Sequence, residues 1–343
     1  MTSEGLQKIT ARYSALRIAV VGDFCLDRYL EIDPARAEVS IETGLPVYNV
    51  VRVRSQPGAA GTILNNLLAL GVGHIFPVGF CGEDGEGYEL QRALRSLPGV
   101  NAAHFFQTPA RRTFTYCKPL VLAPGEPPRE LNRLDSKNWT PTPPEVAERL
   151  ASSLQELRAQ VDAVILLDQV DVAETGVVTK SLLAVVDQLE RKSPVIPVLA
   201  DSRRGLRDYP PVIFKMNAAE LSALTGMPAQ SPLEEIRRRA LEMAKRNQRA
   251  VFVTMAERGL IGALPDGRSE HVLSLPLRGD IDVVGAGDSV TANLTTALAA
   301  GADLGEALAI AALASSIVIH QLGTSGSASV AQMSALLAAS GQP

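Results

Sequence analysis

Ala163-Val-Ile-Leu-Leu-Asp168 is an unbroken apolar run closed by an acid, and its surroundings repeat it. A helical stretch around residues 175–189 follows, and then Val195-Ile-Pro-Val-Leu-Ala-Asp201 presents the same pattern of apolar run and terminal acid. The alternation extends outward in both directions. Ile18-Ala-Val-Val-Gly22 reads as a buried strand that opens onto a functional loop at Asp23. Ile75-Phe-Pro-Val-Gly79 precedes a helix around residues 88–97, and Val251-Phe-Val-Thr254 precedes Glu257-Arg-Gly259. Such alternation predicts an α/β fold: a doubly wound, mostly parallel sheet with helices on both faces. Ligands in this class bind at the carboxyl ends of the strands, and Asp23, Asp27, Asp168, Asp201, Asn217 and Thr254 collect there.

Two stretches break the alternation. Residues 31–54 carry Pro34 and Pro46, and Val47-Tyr-Asn-Val-Val-Arg-Val53 has strand propensity with polar interruptions. Thr113-Phe-Thr-Tyr-Cys117 and Leu120-Val-Leu122 have the same character. These predict a small, half-exposed β-sheet apart from the main core, a lid drawn from residues 28–54 and 110–122 and inserted in one domain spanning 1–343. Gly58-Ala-Ala-Gly61 then leads into a helix over residues 63–70, ended by Gly71.

The 343 residues are 46% hydrophobic but only 4% aromatic, which fits an aliphatic α/β interior. A formal charge of −4 offers no general attraction to nucleic acid or an anionic membrane. The basic stretch Arg237-Arg-Arg-Ala-Leu-Glu-Met-Ala-Lys-Arg246 mixes with apolar residues and reads as the solvated face of a helix. Cys25, Cys81 and Cys117 are too isolated for a disulfide framework or zinc site and read as core fillers. Residues 1–13 lack the apolar core of a signal peptide, and residues 307–319 read as a buried helix, broken by Ser315-Ser316, not as a membrane span. A soluble, cytoplasmic protein is expected.

Chemistry concentrates at Asp282-Val-Val-Gly-Ala-Gly-Asp288. A Gly-Ala-Gly turn lets backbone approach a ligand closely. The helix after it carries Val290, Leu294, Ala297 and Leu298 on one face, and Gly301 is placed to end it. Free N–H groups at a helix start form an anion site, and an acid there, Asp288, suits a base working beside a phosphate. No Walker lysine, His-Glu-x-x-His or Gly-x-Ser-x-Gly is present. Gly82-Glu-Asp-Gly85-Glu-Gly87 is acidic and reads as a strand-to-helix turn.

Together these features resemble the ribokinase-like (PfkB) carbohydrate kinases. The Asp282–Asp288 stretch looks like that family's signature. Val20-Val-Gly-Asp-Phe-Cys-Leu-Asp27, Pro57-Gly58-Ala59-Ala60, Asn217-Ala-Ala-Glu220, Val253-Thr254 with Gly259, and Leu322-Gly-Thr-Ser325 match in order across almost the whole chain. Within the family, Gly-Asp-x-x-Leu-Asp-Arg-Tyr, Arg133-Leu-Asp135 and Leu-Gly-Thr-Ser most resemble the kinase module of bacterial heptose 7-phosphate kinase/ADP-heptose synthase. The nucleotidyltransferase module of that bifunctional protein has no counterpart in these residues. The resemblance implies an ATP-dependent kinase acting on a hydroxyl of a sugar or sugar phosphate. Asp288 would be its base, with Gly285, Ala286 and Gly287 as the anion hole. It implies sugar contacts at Asp27, Gly58, Ala59 and Thr62, and a nucleotide site at Thr254, Gly259 and Asn217. Mg2+ would be held through water by Asn217 and Glu220, and a monovalent cation, K+ being the candidate, by Asp282. A homodimer joined through the lid is also implied.

Competing readings stand beside these. Asp288 is suited to capping its helix, Asn217 and Glu220 to a capping pair, Thr254 to an ordinary strand end, Asp27 to a pair with Arg28 or another surface base, and Asp201 with Arg203 to a surface pair or to contacts with phosphates. His320 reads as a satisfied polar residue at a helix end. The sugar turn also departs from the family's Gly-Gly-x-x-Asn: Ala59 adds a methyl, Thr62 lacks the two-sided amide of Asn, and Val284 replaces a small or hydroxyl residue. The alternatives are a kinase for a nucleoside or another small alcohol, and a non-catalytic protein that binds sugar or nucleotide.

Overall fold

A computed structural model describes residues 1–192, 196–228, 230–323 and 325–339. Val195 and Thr324, which belong to two of the quoted motifs, lie outside the described residues. Nine strands form the main sheet, in the order Ser269–Val272, Leu260–Ala263, Val251–Thr254, Ile213–Asn217, Val198–Ser202, Ala163–Asp168, Arg17–Gly22, His74–Gly82, Phe105–Thr108. The seven from Val251–Thr254 onward are parallel, and the two at the opposite edge are antiparallel. The α/β sheet expected from the sequence is the one observed.

Side chains of a strand alternate between its two faces, and the apolar runs feed two separate cores. Ile18, Val20, Ala163, Ile165 and Leu167 pack with the helices Ala60–Ala69, Ala286–Ala299 and Leu304–Val318. Ala19, Val21, Val164 and Leu166 pack on the other side with Pro144–Leu157, Lys180–Lys192 and Leu233–Asn247. Aliphatic residues therefore serve both faces of one strand, which is why these runs show no polar alternation.

The second sheet runs Leu134–Ser136, Thr115–Val121, Phe24–Ile32, Val50–Ala59, with Arg129–Glu130 added beside Thr115–Val121. A two-stranded hairpin, Glu38–Val39 with Pro46–Val47, lies off it. The lid thus exists, but it begins earlier than residue 28 and recruits a third segment. Phe24–Ile32, whose residues before 28 were expected as a loop, is its central strand, pairing antiparallel to Val50–Ala59 and parallel to Thr115–Val121. Its charged residues Asp27, Arg28 and Glu31 hid the strand pattern in the sequence.

Two helix boundaries also differ. The helix expected over 175–189 starts at Lys180, because the N–H of Val177 is drawn out of any helix to Asp23 Oδ1 at 2.7 Å. The helix expected from residue 63 starts at Ala60, whose N–H donates to the Asp23 carbonyl at 3.0 Å. The basic stretch 237–246 lies on Leu233–Asn247, where Arg238 and Arg239 pair with Glu235 and Glu242 in solvent. All three cysteines are free and buried. His320 is satisfied by the Ser316 carbonyl and the Arg278 N–H. Among the described residues, no helix is long and apolar enough to cross a membrane.

Gly22 stands where the core sheet hands over to the lid. A methyl there would run into the Leu167 carbonyl oxygen and lie 2.9 Å from Leu167 Cβ, on the neighbouring strand. Gly22→Ala is expected to cost about 2 kcal/mol of stability, since backbone cannot yield as a side chain does. Thermal unfolding checks it, and an unchanged Tm would show that the two strands part freely.

Candidate active site

The helix Ala286–Ala299 points its N-terminus at the carboxyl edge of the sheet. Gly285 takes φ +80, a conformation glycine adopts without penalty, and caps the helix without any side-chain bond. The Ala286 N–H closes onto the Val283 carbonyl at 3.2 Å, and the first helical bond is Ser289 N–H to Gly285 O at 2.9 Å. Gly287 and Asp288 lie between those two bonds, so theirs are the N–H groups the helix start offers to an anion. The offered set is one residue further along than the sequence suggested.

Beneath the turn lies a charge that sequence reasoning missed. Lys215 is buried and its Nζ is 2.7 Å from Asp201 Oδ2, which also accepts from Thr291 Oγ1 at 2.8 Å. A methyl on Gly287 would sit 3.2 Å from that ammonium. The one available signal was a lysine between Phe214 and Met216 in an otherwise apolar strand. Asp201 is therefore no surface residue, which corrects the pairing with Arg203; Arg203 instead reaches Asp171 at 3.5 Å.

Asp288 keeps some surface open to solvent, yet its carboxyl lies deep enough to be poorly hydrated. Burial first, and the Asp201 carboxylate second, push it up to about 7 against the pull of Lys215. Asp27 raises it further, which puts the two carboxyls within electrostatic reach.

Asp27 is buried in the central lid strand, opposite Gln56 and Tyr116. Burial raises its carboxyl, while Lys118 and Arg133 draw it down. It makes no pair with Arg28, whose side chain leaves by the other face of the strand to meet Glu86 and Glu89, each at 3.2 Å. Gly58 is bare for Asp27's sake: a methyl there would lie 2.5 Å from Asp27 Oδ2 and 2.8 Å from Cys25 Sγ. Thr62 is buried one helical turn on, with its Cγ2 3.6 Å from where a Gly285 methyl would be. The turn over residues 58–62 and the turn over 285–288 therefore meet.

Asn217 and Glu220 form a reciprocal capping box: Glu220 N–H to Asn217 Oδ1 at 2.9 Å, and Asn217 N–H to Glu220 Oε2 at 2.7 Å. Thr254 is the register partner of Asn217 on the adjacent strand. Gly259, at φ +83, admits no side chain because the Val272 carbonyl occupies that space. Asp282 accepts from Val284 N–H at 3.0 Å and Gly323 N–H at 3.2 Å, one bond to each oxygen. Among the described residues no cluster of three His, Cys, Asp or Glu could cage a metal.

The pfkB family carbohydrate kinase profile matches residues 17–331. The chain belongs to the pfkB family of carbohydrate kinases. It is 31% identical to the bifunctional protein HldE of Trichlorobacter lovleyi over 329 residues, covering 95% of this chain and 64% of that protein. The HldE of Rhodospirillum rubrum is also 31% identical, over 93% of this chain and 62% of its own length. The chain thus spans a little under two thirds of these relatives. Among solved structures, Arabidopsis thaliana ribokinase complexed with ribose and ATP superposes with a TM-score of 0.66 at 20% identity, covering 94% of this chain and 98% of that one. Phosphofructokinase-2 from Escherichia coli in complex with potassium gives 0.71 at 18% identity, over 95% and 100%. At such identities the likeness is one of fold.

Ala59 carries the family departure into the backbone. It holds φ 53 and ψ −115, where a β-carbon is strained and glycine is not. Ala59→Gly is expected to raise stability by about 1 kcal/mol, strain relief exceeding the added chain entropy. A Tm at or below the wild-type value would show the turn to be relaxed with alanine.

Proposed function

We propose that this carbohydrate kinase transfers the γ-phosphoryl group of ATP to a hydroxyl of a sugar or sugar phosphate, with Asp288 as base. The observation that carries the reading is the placement of Asp288: on the first turn of a helix that offers free N–H groups, and within electrostatic reach of buried Asp27. The acceptor lies between Asp27, the 58–62 turn and Asp288. As its oxygen attacks the γ-phosphorus, its proton passes to the Asp288 carboxylate and the bond from phosphorus to the β-phosphate oxygen breaks, releasing ADP. Backbone N–H groups of the 285–288 turn meet the charge on the transferring group. Lys215, held by Asp201 under Gly287, adds a fixed positive charge at the same place.

The nucleotide lies along the strand ends at Asn217 and Thr254, with Gly259 beside them. Magnesium, when bound, neutralises phosphate charge. The donors present suit a water-mediated role: the capping box uses only Oε2 of Glu220, and a phosphate-bound magnesium needs few protein ligands. Asp282, already bracing residues 284 and 323, is the residue proposed to face a monovalent cation, K+. The outer lid strand and hairpin expose Val39, Ile41, Tyr48, Val51 and Val53, which supports a homodimer formed through the lid.

Assay of ATP turnover against hexoses, heptoses and their phosphates tests the reaction. Asp288→Asn is expected to lower kcat about 10^3-fold, the usual range for a lost general base; a variant with wild-type kcat removes Asp288 from the chemistry. The base must be ionised, and burial with the Asp201 carboxylate pushes its carboxyl up to about 7. The acceptor kcat/KM should therefore fall as pH drops through that value and level off above it. A profile flat from pH 5 to 8 at the order of magnitude of the plateau would contradict the assignment.

A further inference from the structure

Asp23 takes no part in the chemistry above, yet it is buried at the one-residue junction between the core strand Arg17–Gly22 and the lid strand Phe24–Ile32. Its two carboxylate oxygens are both committed to one loop: Oδ2 accepts from Gln169 N–H at 2.8 Å and Oδ1 from Val177 N–H at 2.7 Å. Its carbonyl accepts from Ala60 N–H at 3.0 Å, directly after the strained Ala59. One residue thus ties together the core–lid crossover, the loop over residues 169–177 and the turn over 58–62. Gly176 lies flat against the carboxylate, since a methyl there would overlap Asp23 Oδ1 and come within 2.8 Å of Val170 Cγ1.

The fastened loop, through Gln169, Val170, Asp171, Val172 and Thr175, is one wall of an open cleft. Cys25 and Ala59, neighbours of Asp27 and Gly58, also line it, so on the kinase reading the cleft adjoins the acceptor site. The exposed ring of Trp139, the ring of Tyr116 beneath Arg133 and the side-chain amide of Gln169 also line it, while the Asn138 amide is held by the Arg112 backbone. An aromatic face beside an amide suits a polyhydroxylated carbon skeleton. We propose that Asp23 is a positioning residue for the acceptor: it holds the 169–177 loop against the 58–62 turn and so shapes the cleft that receives the part of the acceptor remote from the reacting hydroxyl. The inference rests on the kinase reading for its ligand, but the clamp itself does not.

The test uses the full chain and two independent readouts. Asp23→Asn keeps the size but replaces one acceptor oxygen by a donor, so one of the two N–H bonds must be lost. Hydrogen exchange at the Gln169 and Val177 amides is expected to quicken by about tenfold or more. With the best acceptor from the sugar and sugar-phosphate panel, its KM should rise about tenfold while kcat and the KM for ATP stay within about twofold. A purely structural role would move all three together. Gly176→Ala, which pushes the loop off the carboxylate from the other side, should give the same split and serves if the Asp23 variant fails to fold. Wild-type exchange at both amides in a folded variant, or equal changes in the acceptor and ATP KM, overturns the proposal. Quickened exchange in a protein whose wild type phosphorylates no acceptor overturns the acceptor role together with the kinase reading, and leaves only the clamp.

Discussion

One buried ammonium against several carboxylates is the constraint from which the site's properties follow. Lys215 is closed off from water beside Asp201 and feels Asp288 and Glu220 as well. A lone buried ammonium would be costly; paired, it is tolerated, and the pair leaves the neighbouring carboxyl underpaid in positive charge. Burial first, and the Asp201 carboxylate second, raise the Asp288 carboxyl, and Lys215 offsets only part of that rise. The partial positive end of the helix Ala286–Ala299 lies in the same place. A polyphosphate entering here meets N–H groups and an ammonium but also acids, and this is the physical ground for expecting it to arrive with a metal cation.

The second constraint is steric. Three glycines near the carboxyl edge have close neighbours where a side chain would be: Asp27 overlaps that space at Gly58, the adjacent strand overlaps it at Gly22, and Lys215 Nζ would be 3.2 Å away at Gly287. Packing in protein interiors leaves little slack, so Gly58 sets the spacing of two lid strands, Gly22 that of two core strands, and Gly287 the clearance over Lys215. The crossover from Gly22 through Asp23 to Phe24 makes the lid a direct continuation of a core strand. Movement of one sheet against the other must therefore bend the chain at a residue that also holds the 169–177 loop and the 58–62 turn.

The fold was legible because continuous aliphatic runs such as Ala163–Asp168 can only be strands covered on both faces, and the structure covers them so. The Gly-Ala-Gly turn and Asp288 were legible because helix starts and glycine have local signatures. What stayed hidden was set by partners distant in sequence. The strand Phe24–Ile32 was masked by Asp27, Arg28 and Glu31, whose burial or pairing depends on residues 52, 54, 86, 89 and 116–118. The late start of Lys180–Lys192 depends on a carboxylate more than 150 positions earlier. Lys215 looked like any lysine until Asp201 and Gly287 were set beside it.

The turn over residues 58–62 is where these threads join. Ala59 accepts a backbone conformation that glycine would hold without strain, and its conformation is maintained from outside: Asp23 O binds the next N–H, and Gly58 is wedged against Asp27. A strained residue persists only where its surroundings over-determine it. Ala59 also lines the cleft with Cys25, so on the proposed reading the departure from the bare turn bears on the acceptor site. Thr62, buried against the 285–288 turn, offers one hydroxyl where an amide would offer two kinds of contact. On the proposed reading, the chemistry of transfer and the choice of acceptor are carried by different parts of one site: the first by the 285–288 turn with Lys215, the second by Asp27, Ala59, Thr62 and the loop that Asp23 holds.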